Sequence, residues 1–259
     1  MTLLTRTTLK NLFKRGSVPS EVNFSDLIDS TVNKVDDGFA QSQEHGLMLA
    51  PQGKNRKLLS FFESIRDPNS SFSMALSPDR STKGVSIEDS EHNSLLFLKD
   101  DGNVGIGTTD PRFKLEVAGM AGMAGRVGTY AAGQVKANGE WQTILSNLEG
   151  LQAFEVIAQA AGPESRGKYA MTYAIAMCNY GNGTIKQVKS TYSRLLGPLF
   201  HRISFRWMGD EYGYKLQVKT TQNYGFQDDK GAKPCQIKYY VSKLWDEGMH
   251  QAVTKSSRD

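Results

Sequence analysis

The residues best suited to chemistry lie between Arg206 and Phe226. Trp207, Tyr212, Tyr214, Tyr224 and Phe226 fall there among Arg206, Asp210, Glu211, Gln222 and Asn223. Aromatic faces that stack on sugar rings, flanked by polar groups that hydrogen-bond hydroxyls, are what a saccharide site requires. The candidate ligand-binding residues are therefore Arg206, Trp207, Asp210, Glu211, Tyr212, Tyr214, Asn223 and Tyr224. Trp207 and Tyr214 have a second reading, as core residues of neighbouring strands joined by a turn over Gly209–Gly213, which leaves Tyr212 exposed in the turn. Lys186, Lys189, Arg194, Arg202 and Arg206 suit an anionic polymer by charge attraction, or equally the solvated face of a sheet.

Catalysis is not signalled. Asp210-Glu211 and Asp228-Asp229 are paired acids of the type a glycosidase uses, but adjacent acids in turn-rich sequence are ordinarily solvated loop tips. No Gly-x-Ser-x-Gly elbow and no His-Glu-x-x-His helix occurs. His45, His92, His201 and His250 are scattered, with no short-spaced ligand pair. Cys178 and Cys235 form no metal-type pair. A disulfide requires strands to bring them together, and free buried thiols are the favoured reading. The expectation is a binding protein with no catalytic residue, metal or cofactor.

Bulk properties bound the partners. The 259 residues carry 31 Lys and Arg against 27 Asp and Glu, a formal charge of +4. No run of five or more basic residues occurs, so nucleic acid is not implied. Mean hydropathy is −0.45, low for a chain that builds large single-chain cores and suited to one that buries surface between protomers. The N-terminus has no apolar core of a conventional signal peptide. No apolar run reaches the roughly 20 residues of a membrane-spanning helix.

The elements that must position these residues fall into blocks. Residues 1–40 read as a helical attachment segment. Leu9, Leu12 and Phe13 are spaced for a short helix closed by Gly16; Ser20 then caps a second, with Phe24, Leu27, Ile28 and Val35 on one face. Residues 41–119 read as a β shaft of short alternating runs: Leu59–Phe61, Phe72–Leu76, Val85–Ile87, Leu95–Leu98 and Val104–Ile106, separated by turn clusters. Residues 120–125 are a small-residue linker. Residues 126–247 predict eight strands: Arg126–Tyr130, Trp141–Leu145, Ala153–Ala161, Tyr169–Tyr180, Ile185–Tyr192, His201–Met208, Tyr214–Thr221 and Ile237–Leu244. Their spacing predicts a mainly β fold with a jelly-roll-like β-sandwich head. Residues 248–259 form a polar tail.

One stretch carries a specific resemblance. Gly102-Asn103-Val104-Gly105-Ile106-Gly107-Thr108-Thr109, Pro111, Lys114-Leu115, Val117 and Gly119 resemble the signature of trimeric phage-type tail fibres and related bacterial fibre adhesins. Gly105 and Gly107 alternate with Val104 and Ile106, and three chains crowding one axis would exclude a Cβ there. Phe13-Lys14-Arg15-Gly16, Pro19 and Asp26–Ser30 resemble, more loosely, the N-terminal segment of tail-fibre and contractile-injection-system proteins. Arg126–Ala131, Asn138–Trp141, Leu148–Gly150 and Gln152–Val156 resemble a head domain in fibre proteins of predatory bacteria and injection-system particles. That family often has a cysteine where Leu151 stands here. The resemblance implies an elongated homotrimer with an intertwined shaft, extracellular or on the cell envelope, docked through its N-terminus to a particle baseplate or surface anchor. Its head is implied to recognise a cell-surface glycan or envelope polymer. The alternative is a structural baseplate or tail-tip component of a phage-like particle.

Overall fold

The computed structural model describes residues 4–32, 37–52, 54, 56–77, 82–164, 166–193, 200–228 and 231–245. Val35, Arg194, Asp229 and the tail at 248–259 lie outside the described residues. The chain is mainly β, with several sheets, none of them closed, and two short helices. It divides into two compact units, Met1–Ala121 and Gly122–Asp259.

In the first unit the helices start where capping chemistry dictates. Thr5 caps α1 (Arg6–Leu12) by accepting from the Thr8 amide. Ser20 caps α2 (Glu21–Asp29), and Asn23 returns a side-chain oxygen to the Ser20 amide at 3.0 Å, completing a capping box. Neither helix buries a residue. The Phe13 and Phe24 rings meet edge to face at 5.3 Å.

A hairpin that the sequence reading did not single out follows: β1 (Phe39–Ser42) with β2 (Gly46–Leu49). Next come β3 (Lys57–Phe61), β4 (Phe72–Leu76), β5 (Gly84–Glu88), β6 (Ser94–Lys99), β7 (Val104–Ile106) and β8 (Leu115–Val117). They form one six-stranded sheet in sequence order, antiparallel from β3 to β7 and parallel between β7 and β8. All six strands of this ladder come from one chain. The glycine argument changes with it. Gly105 is buried, and a Cβ there would run into the carbonyl of Thr108 in the same chain. Gly107 has φ +71°, a left-handed conformation. No second chain is needed to explain either residue.

The second unit is a two-sheet sandwich. One sheet has five strands in the order β13-β12-β11-β16-β9, and the other has three in the order β10-β15-β14. The strands are β9 (Ala131–Lys136), β10 (Gln142–Leu148), β11 (Leu151–Ala161), β12 (Lys168–Asn179), β13 (Asn182–Ser193), β14 (Ile203–Asp210), β15 (Gly213–Thr220) and β16 (Gln236–Trp245). Phe154, Val156, Ile237 and Val241 from one sheet and Ile203, Leu216, Val218 and Tyr214 from the other share one buried core. The five-and-three division, with β11, β12 and β13 side by side as a meander, is not the pair of Greek keys of a jelly roll.

Seven expected strands fall on observed ones, and one does not. Residues 126–130 are irregular, and β9 begins at Ala131. Gly128 lies against the backbone of Val241 and Ser242 in β16, where a Cβ would not fit. Arg126 is thereby brought to Glu155.

Candidate binding surfaces of the head

Parity along β14 decides the fate of the predicted aromatics. Ile203 and Phe205 point into the core, so Trp207, two residues on, points inward as well. Its indole lies over Gly183, edge-on to Tyr214 at 5.5 Å and 6.4 Å from Phe154. Tyr214 is buried and its hydroxyl donates to the Gly150 carbonyl at 2.8 Å. Tyr224 is only 1% exposed, and its hydroxyl donates to the His201 carbonyl. Burial holds this phenol far above its ordinary pKa. Trp207 thus packs partly buried against the core, and the buried rings of Tyr214 and Tyr224 have no face to offer a ligand.

The remaining predicted residues separate. Asp210, Glu211 and Tyr212 form the tip of the β14–β15 hairpin, where Asp210 accepts from the Tyr212 amide at 3.1 Å and Tyr212 is 82% exposed. Asn223 sits in the following loop and accepts from the Gly225 amide. Asp228 accepts from the Ala232 and Lys233 amides. These carboxylates close turns. Beside the tip, Thr143, Ser146, Asn147, Met208, Gly213 and Lys215 line a shallow groove of about 520 Å³.

Arg206 has the opposite parity to Trp207 and joins an outward face that the sequence reading did not assemble. On the three-stranded sheet, Thr143 stands beside Gln217, which stands beside Arg206; Ser204 pairs with Lys219, and Met208 with Lys215. Trp141, two residues before Thr143, falls beside Lys219. The Arg206 guanidinium lies 4.3 Å from the Trp141 ring centre and the Lys219 ammonium 4.7 Å from it. Arg206 Nε donates to Gln217 Oε1 at 2.9 Å, and Gln217 Nε2 donates to Thr143 Oγ1 at 3.1 Å. Lys189 reaches across from β13 to Ser204 Oγ at 3.2 Å. Burial, and then the charge of Arg202, pull its ammonium below its ordinary pKa. The outward positions thus hold Arg206, Lys215 and Lys219 with one indole and a locked amide, Lys189 reaches in beside them, and the carboxylate of the same parity is Asp210 at the hairpin end. Trp141 was visible in the sequence as the residue opening a strand after Asn-Gly-Glu. Its pairing with Arg206 depended on a register that sequence does not give.

The outer face of the five-stranded sheet is of a different kind. Along β12 the inward residues are Ala170, Thr172, Ala174, Ala176 and Cys178, and the outward ones are Tyr169, Met171, Tyr173, Ile175 and Met177. Leu151, Ile157, Val188, Tyr192, Tyr240 and Leu244 extend this exposed apolar surface. One end of it is a groove of about 670 Å³ lined by Ile175, Met177, Leu244 and Trp245 among others. Glu155 is a buried charge on this face, paired with Arg126 and accepting from the Tyr173 hydroxyl at 2.8 Å. That hydrogen bond raises the Tyr173 pKa. Cys178 and Cys235 are both buried and free, and burial pushes both thiols up.

Among the described residues no group of His, Cys, Asp and Glu could hold a metal ion. No helix of the described residues is long and apolar enough to cross a membrane.

No protein-family model matches the sequence, and no curated protein matches it. Among solved structures, the chain has a weak likeness to the tailspike protein of Acinetobacter phage vB_ApiP_P1. The identity is 11% and the TM-score 0.28, over 48% of this chain and 23% of the tailspike. A likeness of that size supports no argument about fold or activity.

Proposed function

We propose that the chain is a homotrimeric fibre adhesin, displayed outside the cell or on a phage-like particle, whose head binds a cell-surface glycan and carries out no catalysis. One observation carries the self-association: the six-stranded sheet and the β12 face of the head each leave rows of large apolar side chains exposed on one side. In the six-stranded sheet Ser73, Ala75, Ser86, Phe97 and Gly105 are buried on one face. The opposite face carries two apolar rows across the strands: Leu59, Met74, Ile87, Leu96, Ile106 and Val117, and Leu76, Val85, Leu98, Val104 and Leu115. All of these remain partly or largely exposed. In the head, β12 carries its alanines inside and Tyr, Met and Ile outside.

The exposed apolar surface of the head face is on the order of 1,000 Å². The largest patch on a typical monomer is roughly 300–600 Å², and a stable interface takes about 800 Å² from each partner. Copies of the chain meeting across these faces would bury what a single chain leaves in water. The number three and the adhesive role rest on the resemblance of Gly102–Gly119 to the fibre signature; docking through the exposed Val22, Phe24 and Ile28 of α2 rests on the looser N-terminal one.

The test is binding of the full-length protein to an array of bacterial surface glycans. The proposal expects selective binding to a subset. No binding across the array, together with retention on isolated phage-like particles, would replace it with the structural baseplate or tail-tip role.

A further inference from the structure

The outward face of the three-stranded sheet has features that glycan adhesion alone does not require, because a neutral sugar needs no net charge opposite it. Lys189, Arg206 and Lys219 stand on or beside this face, and among the described residues none of them has an ion-pair partner. Two of the three are held against one indole, so their direction is fixed by the ring rather than by water. The Arg206 guanidinium is also pinned edgewise by Gln217, and Gln217 is pinned in turn by Thr143. Ordering the cations before a ligand arrives lowers the entropic cost of binding. Lys189 is already partly desolvated, and an approaching anion would relieve the charge repulsion it shares with Arg202.

We propose that this face, centred on Trp141, Arg206 and Lys219, binds an acidic polysaccharide, with carboxylate or phosphate groups on the cations and a sugar ring against the indole. The inference rests on the adhesin reading and names its site and ligand class. A strip of single-stranded nucleic acid fits less well. That ligand calls for successive aromatic rings along a basic groove, whereas this face has a single indole and offers a hydroxyl and an amide beside it. The carboxylate and phosphate sources share one chemistry here, and the test separates them.

The experiment measures binding of the full-length protein to polygalacturonate, phosphomannan, dextran and polythymidylate at low and high salt. It compares wild type with Trp141→Ala, Arg206→Gln, Lys219→Gln and, as a control for overall charge, Lys233→Gln in the exposed loop. The expected result is salt-sensitive binding to polygalacturonate, phosphomannan or both, weakened at least about tenfold by Arg206→Gln and Lys219→Gln and unchanged by Lys233→Gln. Circular dichroism should be unchanged in all four variants, which separates a lost site from a lost fold. Binding to dextran that the variants leave intact, with none to the acidic polymers, overturns this site and ligand class while leaving the adhesin reading standing. Polythymidylate bound as well as the acidic glycans overturns the assignment in favour of nonspecific polyanion attraction. Binding to none of the four removes the proposal, and a blank glycan array in addition removes the adhesin reading beneath it.

Discussion

Gly105 shows how a residue can be right for a reason other than the one its sequence suggests. The alternating glycines resemble a fibre signature, and a crowded axis would account for them. In the folded chain the Thr108 carbonyl occupies the place a Cβ would take. Gly105→Ala should therefore destabilise the six-stranded sheet by about 1–3 kcal/mol in urea unfolding, even in a variant that is monomeric. Gly119 has nothing near its Cβ position, so Gly119→Ala should change stability by no more than about 0.5 kcal/mol. The aromatics teach a related lesson. Ile203, Phe205 and Trp207 share one parity, and that pattern was legible as an inward stripe; the buried Tyr224 lies in a loop, where no period exists to read. Trp207→Ala should cost about 3–5 kcal/mol in unfolding of the head, far more than Trp141→Ala, whose ring lies on the outer face.

His201 supplies a pH signature. It is buried in the head, with its ring edge-on to Tyr224 at 5.5 Å. Burial first, and the Lys168 charge second, depress its pKa below the ordinary 6.5. As pH falls through 6.5 the unfolded chain takes up the proton before the folded one does. The stability tied to the neutral ring is complete above that value and is lost as pH drops toward the depressed one. Wild type should thus lose more stability than His201→Phe in urea titrations between about pH 7 and 5. An identical pH dependence in the two proteins would refute the role given to this ring.

At the scale of elements, strand positions were legible, and strand faces only where one parity alone is apolar, as on β14. Period-two alternation located β4, β5, β11, β12 and β14 because both parities repeat cleanly along each run. On β12, however, Ala, Thr and Cys alternate with Tyr, Met and Ile, and both sets are compatible with burial. Only the packing shows that the smaller set goes inward. The jelly-roll expectation failed for a related reason, since spacing gives the number of strands but not which sheet each joins. The outward rows make an element-level prediction. Ile87 pairs with Met74 on one side and Leu96 on the other, in the middle of a row. Ile87→Lys should leave the circular dichroism of the sheet intact and reduce the assembled mass, while Lys83→Ile, near the start of the same strand, should not. A variant that keeps its full assembled mass would place the association elsewhere.

At the scale of the molecule, the two units share one feature, in that each has a sheet with a broad apolar face left exposed. Composition hinted at this through a hydropathy too low for large single-chain cores, but it said nothing about which surfaces were involved. Burial by copies of the same chain accounts for both faces at once, without a different partner for each. The claim is tested most directly by the mass of the full-length protein in solution, measured by light scattering over a range of concentrations. The account predicts a stable species of three times 28.6 kDa. A folded, monodisperse 28.6 kDa monomer that persists on concentration would contradict it.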